Sequence, residues 1–443
     1  MASEHEYNIP IDDVLRLATT AHQRGVTDKA QEFYEAVLQA QPDNIDALHY
    51  YGILLHQIGQ SEEGLASIDK ALSLGANSAE VHNNKGNVLK ELKRYDAAEQ
   101  QYRRALSIDH EQVDALCNLG VVLRITERDE EAIEYLRRAT ALNPEHGETW
   151  HNLGNALREQ RDSEGAIECY EKAVEFGAYR YSSGRSARNL AIILASTGRT
   201  EQAEKVLRNW LRQDPENAVA QHLFAALTKD SVPDRAADEF VVQSFRDYAE
   251  SFDESLANLK YQAPQLVGAR VAKILAEPSG TMAVCDLGCG TGLVAQYIAP
   301  YAARLTGVDL SLPMLSKAKE RGLYQELIEE EITAYLASQP QTFDLVTCVD
   351  TLCYLGKLDA VISNCAQALR PSGCFVFTVE AIADNGGSSD YEIGPSGRYR
   401  QARPYLERTL SSAGFTSILN ESVTLRNEGG EPVSGFLCSC RIP

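Results

Sequence analysis

The chain has 443 residues, room for about two to four domains, and its 44% hydrophobic content is that of a globular protein rather than a disordered or fibrous one. Its 42 Lys plus Arg stand against 63 Asp plus Glu, a formal charge of −21. That sign excludes a protein that grips nucleic-acid backbone by releasing counterions, and it fits solubility and self-repulsion better than a membrane-surface partner.

At the start of the chain, Met1-Ala-Ser-Glu-His-Glu lacks the basic and apolar blocks of a secretory leader. No later window approaches the ~18 uninterrupted apolar residues of a membrane span, so a cytoplasmic location is expected. From there a 34-residue ruler takes over: Gly52, Gly86, Gly120 and Gly154 keep that offset, as do Gly64, Ala98, Ala132 and Ala166, and Ala71, Ala105, Ala139 and Ala173. One unit back lie Ala18, Ala30 and Tyr34. One unit on, after a three-residue insertion near Tyr179 to Ser186, lie Ala191, Ala203 and Leu207.

Small residues at fixed places let two antiparallel helices approach closely. The set Tyr34, Ile68, Tyr102, Leu136, Tyr170 and Leu207 is expected to fill the space between neighbouring units. Six helical hairpins follow. These positions resemble the tetratricopeptide repeat family over about residues 11 to 217, with 218–228 as a capping helix. The resemblance implies an all-α superhelix over 11–228 whose groove takes a protein or peptide ligand. His49, His56, His82, His110, His146 and His151 are expected to be groove or surface side chains rather than metal ligands.

Pro233 interrupts the helical pattern, and a linker is expected at 229–238. Beyond it, apolar runs at 282–286, 303–308, 326–329, 343–349 and 373–379 alternate with helix-length stretches, predicting a mainly parallel sheet covered on both faces. Runs at 415–420 and 433–440, with Asn427-Glu-Gly-Gly430 between them, predict an antiparallel hairpin at the edge of a seven-stranded sheet. Eight of the ten cysteines lie after residue 280, and Cys285, Cys348, Cys374, Cys438 and Cys440 sit inside these runs as expected buried thiols. Neither Cys285/Cys289 nor Cys438/Cys440 has zinc-site spacing or histidine partners, and no metal is expected.

The chemistry concentrates at Val284-Cys-Asp-Leu-Gly-Cys-Gly-Thr-Gly-Leu293, an apolar strand running into a glycine-rich turn and then a helical stretch. Gly288, Gly290 and Gly292 permit a bend against which a ligand can lie, with free N–H groups beyond it. Asp309 follows at the tip of a second strand, where a carboxylate accepts from two ribose hydroxyls. Nicotinamide dehydrogenases carry G-x-G-x-x-G, whereas here Leu293 stands where the third glycine would fall. Asp286-Leu-Gly-Cys-Gly-Thr-Gly292 closely resembles the class I S-adenosylmethionine-dependent methyltransferases, a Rossmann-like α/β fold, over roughly 240–441.

The resemblance implies S-adenosylmethionine as cofactor, its methionine part lined by the backbone of Gly288, Cys289 and Gly290. Asp286 would meet the ammonium, directly or through water, and Asp309 the ribose. Leu310 and Met314 would press on the adenine, and Glu331 beside Ile332, or else Glu330, would take its amino group. Asp350 closes the fourth strand where cofactor and acceptor meet, with Tyr354 nearby as a second catalytic candidate. Tyr248, Phe252 and Tyr261 lie in an aromatic segment that in this family often folds over the cofactor as a lid, placing Tyr248 against the cofactor and Phe252 and Tyr261 toward the substrate. The polar stretch 384–400 reads as a substrate loop in which Arg398 would hold an anionic acceptor beside Tyr399.

All nine histidines fall at or before His222, so any base must be Asp350, a tyrosinate, another carboxylate or solvent, unless a repeat histidine reaches over. Acceptors that lose a proton readily, such as carboxylates, thiols or neutral amines, are favoured. Asp350-Thr-Leu-Cys-Tyr354 is not the Asn/Asp-Pro-Pro-Tyr of family members acting on base amines or glutamine. Three readings follow. The first is a methyltransferase whose repeats recruit its acceptor or a partner; the second, a repeat scaffold with a cofactor-binding but non-catalytic fold; the third, a small-molecule methyltransferase whose repeats serve oligomerisation. In each the acceptor is unknown, and no nucleic-acid or membrane partner is expected.

Overall fold

In the computed structural model the residues described are 9–177, 184–229, 232–246, 249, 252–253, 256, 259–275, 277–382, 389–428 and 431–443. The chain divides into two compact units, Met1–Tyr181 and Ser182–Pro443. The first consists of five helical hairpins: Ile11–Gln23 with Thr27–Ala40, Ile45–Gln57 with Ser61–Ser73, Ala79–Glu91 with Tyr95–Ile108, Val113–Ile125 with Asp129–Leu142, and Gly147–Glu159 with Ser163–Glu175.

The ruler has a steric cause. A Cβ on Gly86 would come within 2.5 Å of the Tyr102 ring, and one on Gly120 within 2.6 Å of Leu136. Ile68, Tyr102, Leu136 and Tyr170 are fully buried, each in the notch that the glycine of its own hairpin leaves open. They pack on the glycine of their own hairpin and also against the next unit, as the spacing predicts: Tyr34 meets Tyr51 with ring centres 6.1 Å apart, and Tyr102 shares a core cluster with Leu119 and Val122. Several repeat histidines are held by side chains of the array: His49 by Asn84, His82 by Gln101 and Asn77, His56 by Ser61.

The second unit opens with the sixth hairpin, Arg185–Ser196 with Thr200–Gln213, and the helix Ala218–Thr228. The division between the two units falls at the insertion in the ruler. The stretch around Pro233 does not hang free. The Tyr399 hydroxyl donates to Pro233 O (2.7 Å), and the Gly356 and Lys357 N–H groups donate to Asp234 O (both 2.9 Å). Ala236 N–H donates to Tyr354 O at 2.8 Å. Strand-like hydrogen bonding, not a flexible connection, joins this strap to the sheet domain.

The sheet contains β1 (Met282–Leu287), β2 (Ala302–Asp309), β3 (Glu326–Glu329), β4 (Phe343–Cys348), β5 (Leu369–Ala381), β6 (Tyr391–Ile393), β7 (Tyr399–Gln401), β8 (Thr416–Glu428) and β9 (Glu431–Arg441). β3, β2, β1, β4 and β5 run parallel in that order; β9 is antiparallel to β5, and β8 to β9. This is the expected seven-stranded sheet, with two short strands added. β6 and β7 come from the stretch read as a polar loop, and β7 pairs with the end of β5 at Glu380 and Ala381.

Successive strand residues face opposite cores. Val284, Leu345 and Val376 pack on one side with the helix Ala263–Ile274; Cys285, Val346, Phe375 and Phe377 pack on the other. Full burial stabilises each of the larger apolar side chains by about 1.5–3 kcal/mol. No described helix is long and apolar enough to cross a membrane.

Candidate cofactor and acceptor site

β1 lies between β2 and β4, where the strand order reverses direction, and the crevice at the carboxyl ends of such strands is where open α/β sheets bind ligands. There Gly288, Gly290 and Gly292 have φ of +62°, +52° and +83°. A Cβ on Gly288 would strike Thr351 Oγ1 at 2.2 Å, and one on Gly292 would sit 2.8 Å from the Tyr324 ring. At Gly290 the nearest atom is Phe252 Cε1, 4.0 Å away. Two glycines thus allow protein to pack closely, while the third leaves open space over the turn.

Asp309 ties this turn to β2. Its Oδ2 accepts from Gly290 N–H (2.8 Å) and its Oδ1 from Ser311 N–H (2.9 Å). Burial raises its pKa, and those N–H groups oppose the rise. Asp286 is deeper: Oδ2 accepts from the Tyr324 hydroxyl (2.7 Å) and Oδ1 from Thr347 Oγ1 (3.0 Å). Burial pushes its pKa up to about 7, with the two hydroxyls pulling it back. The Cys289 thiol is buried and its pKa is raised, which removes the thiolate a nucleophile needs. Met314 and Ile332 are buried and Leu310 is half-buried near the same crevice.

Glu331 departs from the expectation. Its carboxylate caps the helix Ile332–Ala337, accepting from Thr333 N–H (3.0 Å), Ala334 N–H (2.9 Å) and Thr333 Oγ1 (3.0 Å), and it pairs with Arg235 at 3.1 Å. Those bonds turn it away from an adenine role.

Of the aromatic segment, Tyr248 lies outside the described residues. Phe252 faces the opening over Gly290 and meets Phe245 edge-on with ring centres 5.8 Å apart. The next residue, Asp253, accepts from the Thr291 hydroxyl and forms an ion pair with Arg321. These bonds fasten the segment to the glycine turn, and none of the three residues was singled out by sequence.

Asp350 follows β4 with φ +55°, a left-handed conformation that costs a non-glycine residue energy and recurs at functional sites. Its N–H donates to Thr378 Oγ1 (2.9 Å) and its Oδ2 accepts from Arg426 Nη1 (2.6 Å), while the buried Oδ1 has no hydrogen-bond partner. Arg426 also bonds Glu380 and Glu428, and Arg398 pairs with those same two carboxylates. Three carboxylates and two guanidiniums form the centre of the cluster, with Arg400 at its edge 3.9 Å from Glu380.

Arg398 is therefore committed, not a free anion hook. Tyr399 is a fully buried core residue whose hydroxyl is taken by Pro233, because β7 turns it inward. Tyr354 packs its ring against Phe245 (5.8 Å) and Phe240 (6.3 Å), and burial raises its pKa. Tyr261 is raised well above its ordinary value by burial and by the nearby Asp350, so neither phenol supplies a tyrosinate. Among the described residues Asp350, Cys353 and Glu380 bring ligand atoms within 4.8 Å of one another, but the two carboxylates converge on the Arg426 guanidinium.

Family models agree with this geometry. Residues 285–377 match a methyltransferase domain, and 21–88, 77–145 and 145–212 match tetratricopeptide repeats. The second half is thus of the methyltransferase class. The chain as a whole is a fusion of tetratricopeptide repeats with a methyltransferase domain.

Similar curated proteins include the ubiquinone biosynthesis O-methyltransferase of Klebsiella pneumoniae, 32% identical over 111 residues, or 24% of this chain and 46% of that protein. That of Salmonella typhimurium is 33% identical over 99 residues, 21% and 41%. The chain spans a little under half the length of these relatives. Among solved structures, YrrB, described as a TPR protein with an unusual peptide-binding site, is 24% identical with a TM-score of 0.34, covering 43% of this chain and 96% of that one. The [4+2]-cyclase SpnF is 19% identical with a TM-score of 0.39, covering 48% and 98%.

Proposed function

We propose that the second unit transfers a methyl group from S-adenosylmethionine to an acceptor presenting an O–H or N–H to Asp350, while the repeat groove binds a protein or peptide. The open space above Gly290, at a φ only glycine adopts readily, fits a ligand lying against the backbone. S-adenosylmethionine supplies an already activated methyl carbon. In this reading the backbone from Gly288 to Gly292, with Cys289, lines the methionine portion, ionised Asp286 balances the ammonium, and Asp309 accepts from the ribose. Leu310, Met314 and Ile332 flank the adenine, and Glu330 takes the amino-group role that the capping bonds of Glu331 leave open. Phe252 covers the turn and excludes water.

The observation that carries the acceptor reading is the partnerless, buried Oδ1 of Asp350. Leaving such an oxygen unsatisfied costs about 1–3 kcal/mol, and a donor on the acceptor removes that cost. Asp350 then orients the acceptor lone pair and receives its proton, with Arg426 holding the carboxylate in place. The name of the curated relatives favours a hydroxyl acceptor.

Tritiated methyl transfer from labelled cofactor into cell extract, fractionated by size, tests this. Label in extract, lost in Asp350→Asn with cofactor affinity retained, supports the reading. Tight cofactor binding without turnover in any extract leaves the scaffold reading instead.

A further inference from the structure

The helix Ala218–Thr228, which follows the sixth repeat hairpin, is seated on the sheet domain. His222 is buried, and its Nε2 donates to the carbonyl of Gly397 at 2.8 Å, which fixes the proton on that nitrogen. Its ring lies 4.1 Å from Phe240 and 6.2 Å from Tyr399, centre to centre. Gly397 has φ +79°, and a Cβ there would come 2.9 Å from His222 Cδ2, so turn and imidazole fit closely. Ala226 of the same helix packs with Val232, Ile393 and Tyr399. A histidine from the repeat side does reach over, as a holder of backbone.

What it holds is one residue from the charge cluster. Arg398 follows Gly397 and binds Glu380 and Glu428; Arg426 binds both and also Asp350. Phe240, whose ring lies tilted against His222, also meets the Tyr354 ring at 6.3 Å, and the strap residue Ala236 donates to Tyr354 O. From the helix, both routes end at the Asp350-to-Tyr354 stretch.

We propose that the helix closing the repeat array is part of the acceptor side of the site, and that His222 is a positioning residue for Asp350, acting through Gly397 and Arg398. This rests on the reading of Asp350 as the residue that meets the acceptor. It makes the last repeat hairpin and its cap a working piece of the catalytic body, distinct from a detachable recruiting arm. A ligand that strained this helix would reach Asp350 through the same route.

The test uses the full chain with His222→Phe, which keeps a ring against Phe240 and Tyr399 but removes the donor, and His222→Gln, which restores one. Backbone hydrogen exchange is measured at 397–401 and at 350–353, together with calorimetric S-adenosylmethionine affinity. The expected result for Phe is about tenfold faster exchange at both stretches, the scale of one lost hydrogen bond, with cofactor affinity within about twofold of wild type and Gln near wild type. S-adenosylhomocysteine release over an extract dilution series should lose maximal rate more than half-saturation.

Unchanged exchange at both stretches overturns the proposal, as does faster exchange at 397–401 alone, which reduces His222 to a local packing residue. The exchange readout needs no turnover. Loss of cofactor binding in the wild-type chain is a failure of the functional reading, separate from this one.

Discussion

Substituting the glycines of the turn one at a time separates folding from binding. At φ +52°, alanine at Gly290 carries a left-handed penalty of about 1–2 kcal/mol, partly offset by the ~0.4–1 kcal/mol that a less flexible unfolded chain returns. With 4.0 Å to Phe252 there is no steric term to add. Gly290→Ala should therefore lower Tm by only about 2–4 °C per kcal/mol in a unit of this size. Gly288→Ala carries the same backbone penalty plus a collision at 2.2 Å with Thr351, whose hydroxyl is held by the carbonyls of Gly288 (3.2 Å) and Val349 (3.1 Å). Overpacking of that kind adds about 1–3 kcal/mol.

For binding the order reverses in severity relative to fold damage. The new methyl at 290 stands where the ligand meets backbone, and a steric cost there of about 1–3 kcal/mol weakens affinity roughly five- to hundredfold. Differential scanning calorimetry and titration with S-adenosylmethionine on the full chain measure both quantities. Wild-type affinity in a folded Gly290→Ala protein would refute the claim that the cofactor lies on this turn. Equal Tm losses at the two positions would refute the steric ranking.

Four further outcomes are expected. Asp253→Asn weakens the pair that fastens the segment carrying Phe252; since both partners are partly exposed, S-adenosylmethionine should dissociate only about two- to fivefold faster in stopped flow, and an unchanged rate removes the latch. The folded pKa of Asp286, about 7, lies above its ordinary 3.8, so ionisation opposes folding: this contribution to stability is fully present below pH 3.8 and is lost as pH rises to 7. Binding of the ammonium needs the ionised form, so cofactor affinity should climb through pH 7 and level above it, whereas Asp286→Asn should bind weakly with a flat profile over that range. Arg426→Met strands Asp350 and leaves Glu380 and Glu428 to Arg398 alone, and should destabilise the second unit by about 3–5 kcal/mol in urea, with a loss under 1 kcal/mol counting against the network. Gly86→Ala drives a methyl into Tyr102 and should cost the first unit about 1–3 kcal/mol while leaving cofactor affinity unchanged.

Features that repeat or stay local were readable from residues alone. The 34-residue spacing is a packing constraint imposed again in each hairpin, and the glycine turn joins strand to helix within ten residues, so both leave their mark in order along the chain. The charge cluster does not. Glu380 stands just past the apolar run 373–379 and Arg426, 46 residues on, between the runs 415–420 and 433–440; nothing in the order of residues ties them, and their pairing depends on β9 lying between β5 and β8. Asp253, Thr291 and Arg321 meet for the same non-local reason. The inward face of Tyr399 is not legible in the sequence, because three-residue strands such as β7 have too little alternation to reveal which face is inside. At Glu331 a local signal existed, since an acidic residue two and three places before free helix N–H groups is a capping pattern, but it was outweighed by the position's resemblance to an adenine contact.

The cluster also bears on which acceptors the site can admit. Arg398 and Arg426 are each already paired to at least two of the three carboxylates, and Arg400 at the edge pairs with Glu380 and Glu392, so an anionic acceptor finds no unspent positive charge beside Asp350. A second negative charge about 4 Å from Asp350 would be repelled by about 4 kcal/mol at an effective dielectric of 20, roughly a thousandfold in affinity. Carboxylates, which the absence of a histidine base favours, therefore fall behind neutral hydroxyls and amines. A neutral donor also satisfies Oδ1, so discrimination comes from both sides: the correct acceptor removes an unsatisfied buried oxygen, and the wrong one adds like charge. Removing the local negative charge with Asp350→Asn should accordingly narrow the gap between carboxylate and phenol binding in competition titrations, and a gap that stays the same would place the acceptor away from this residue.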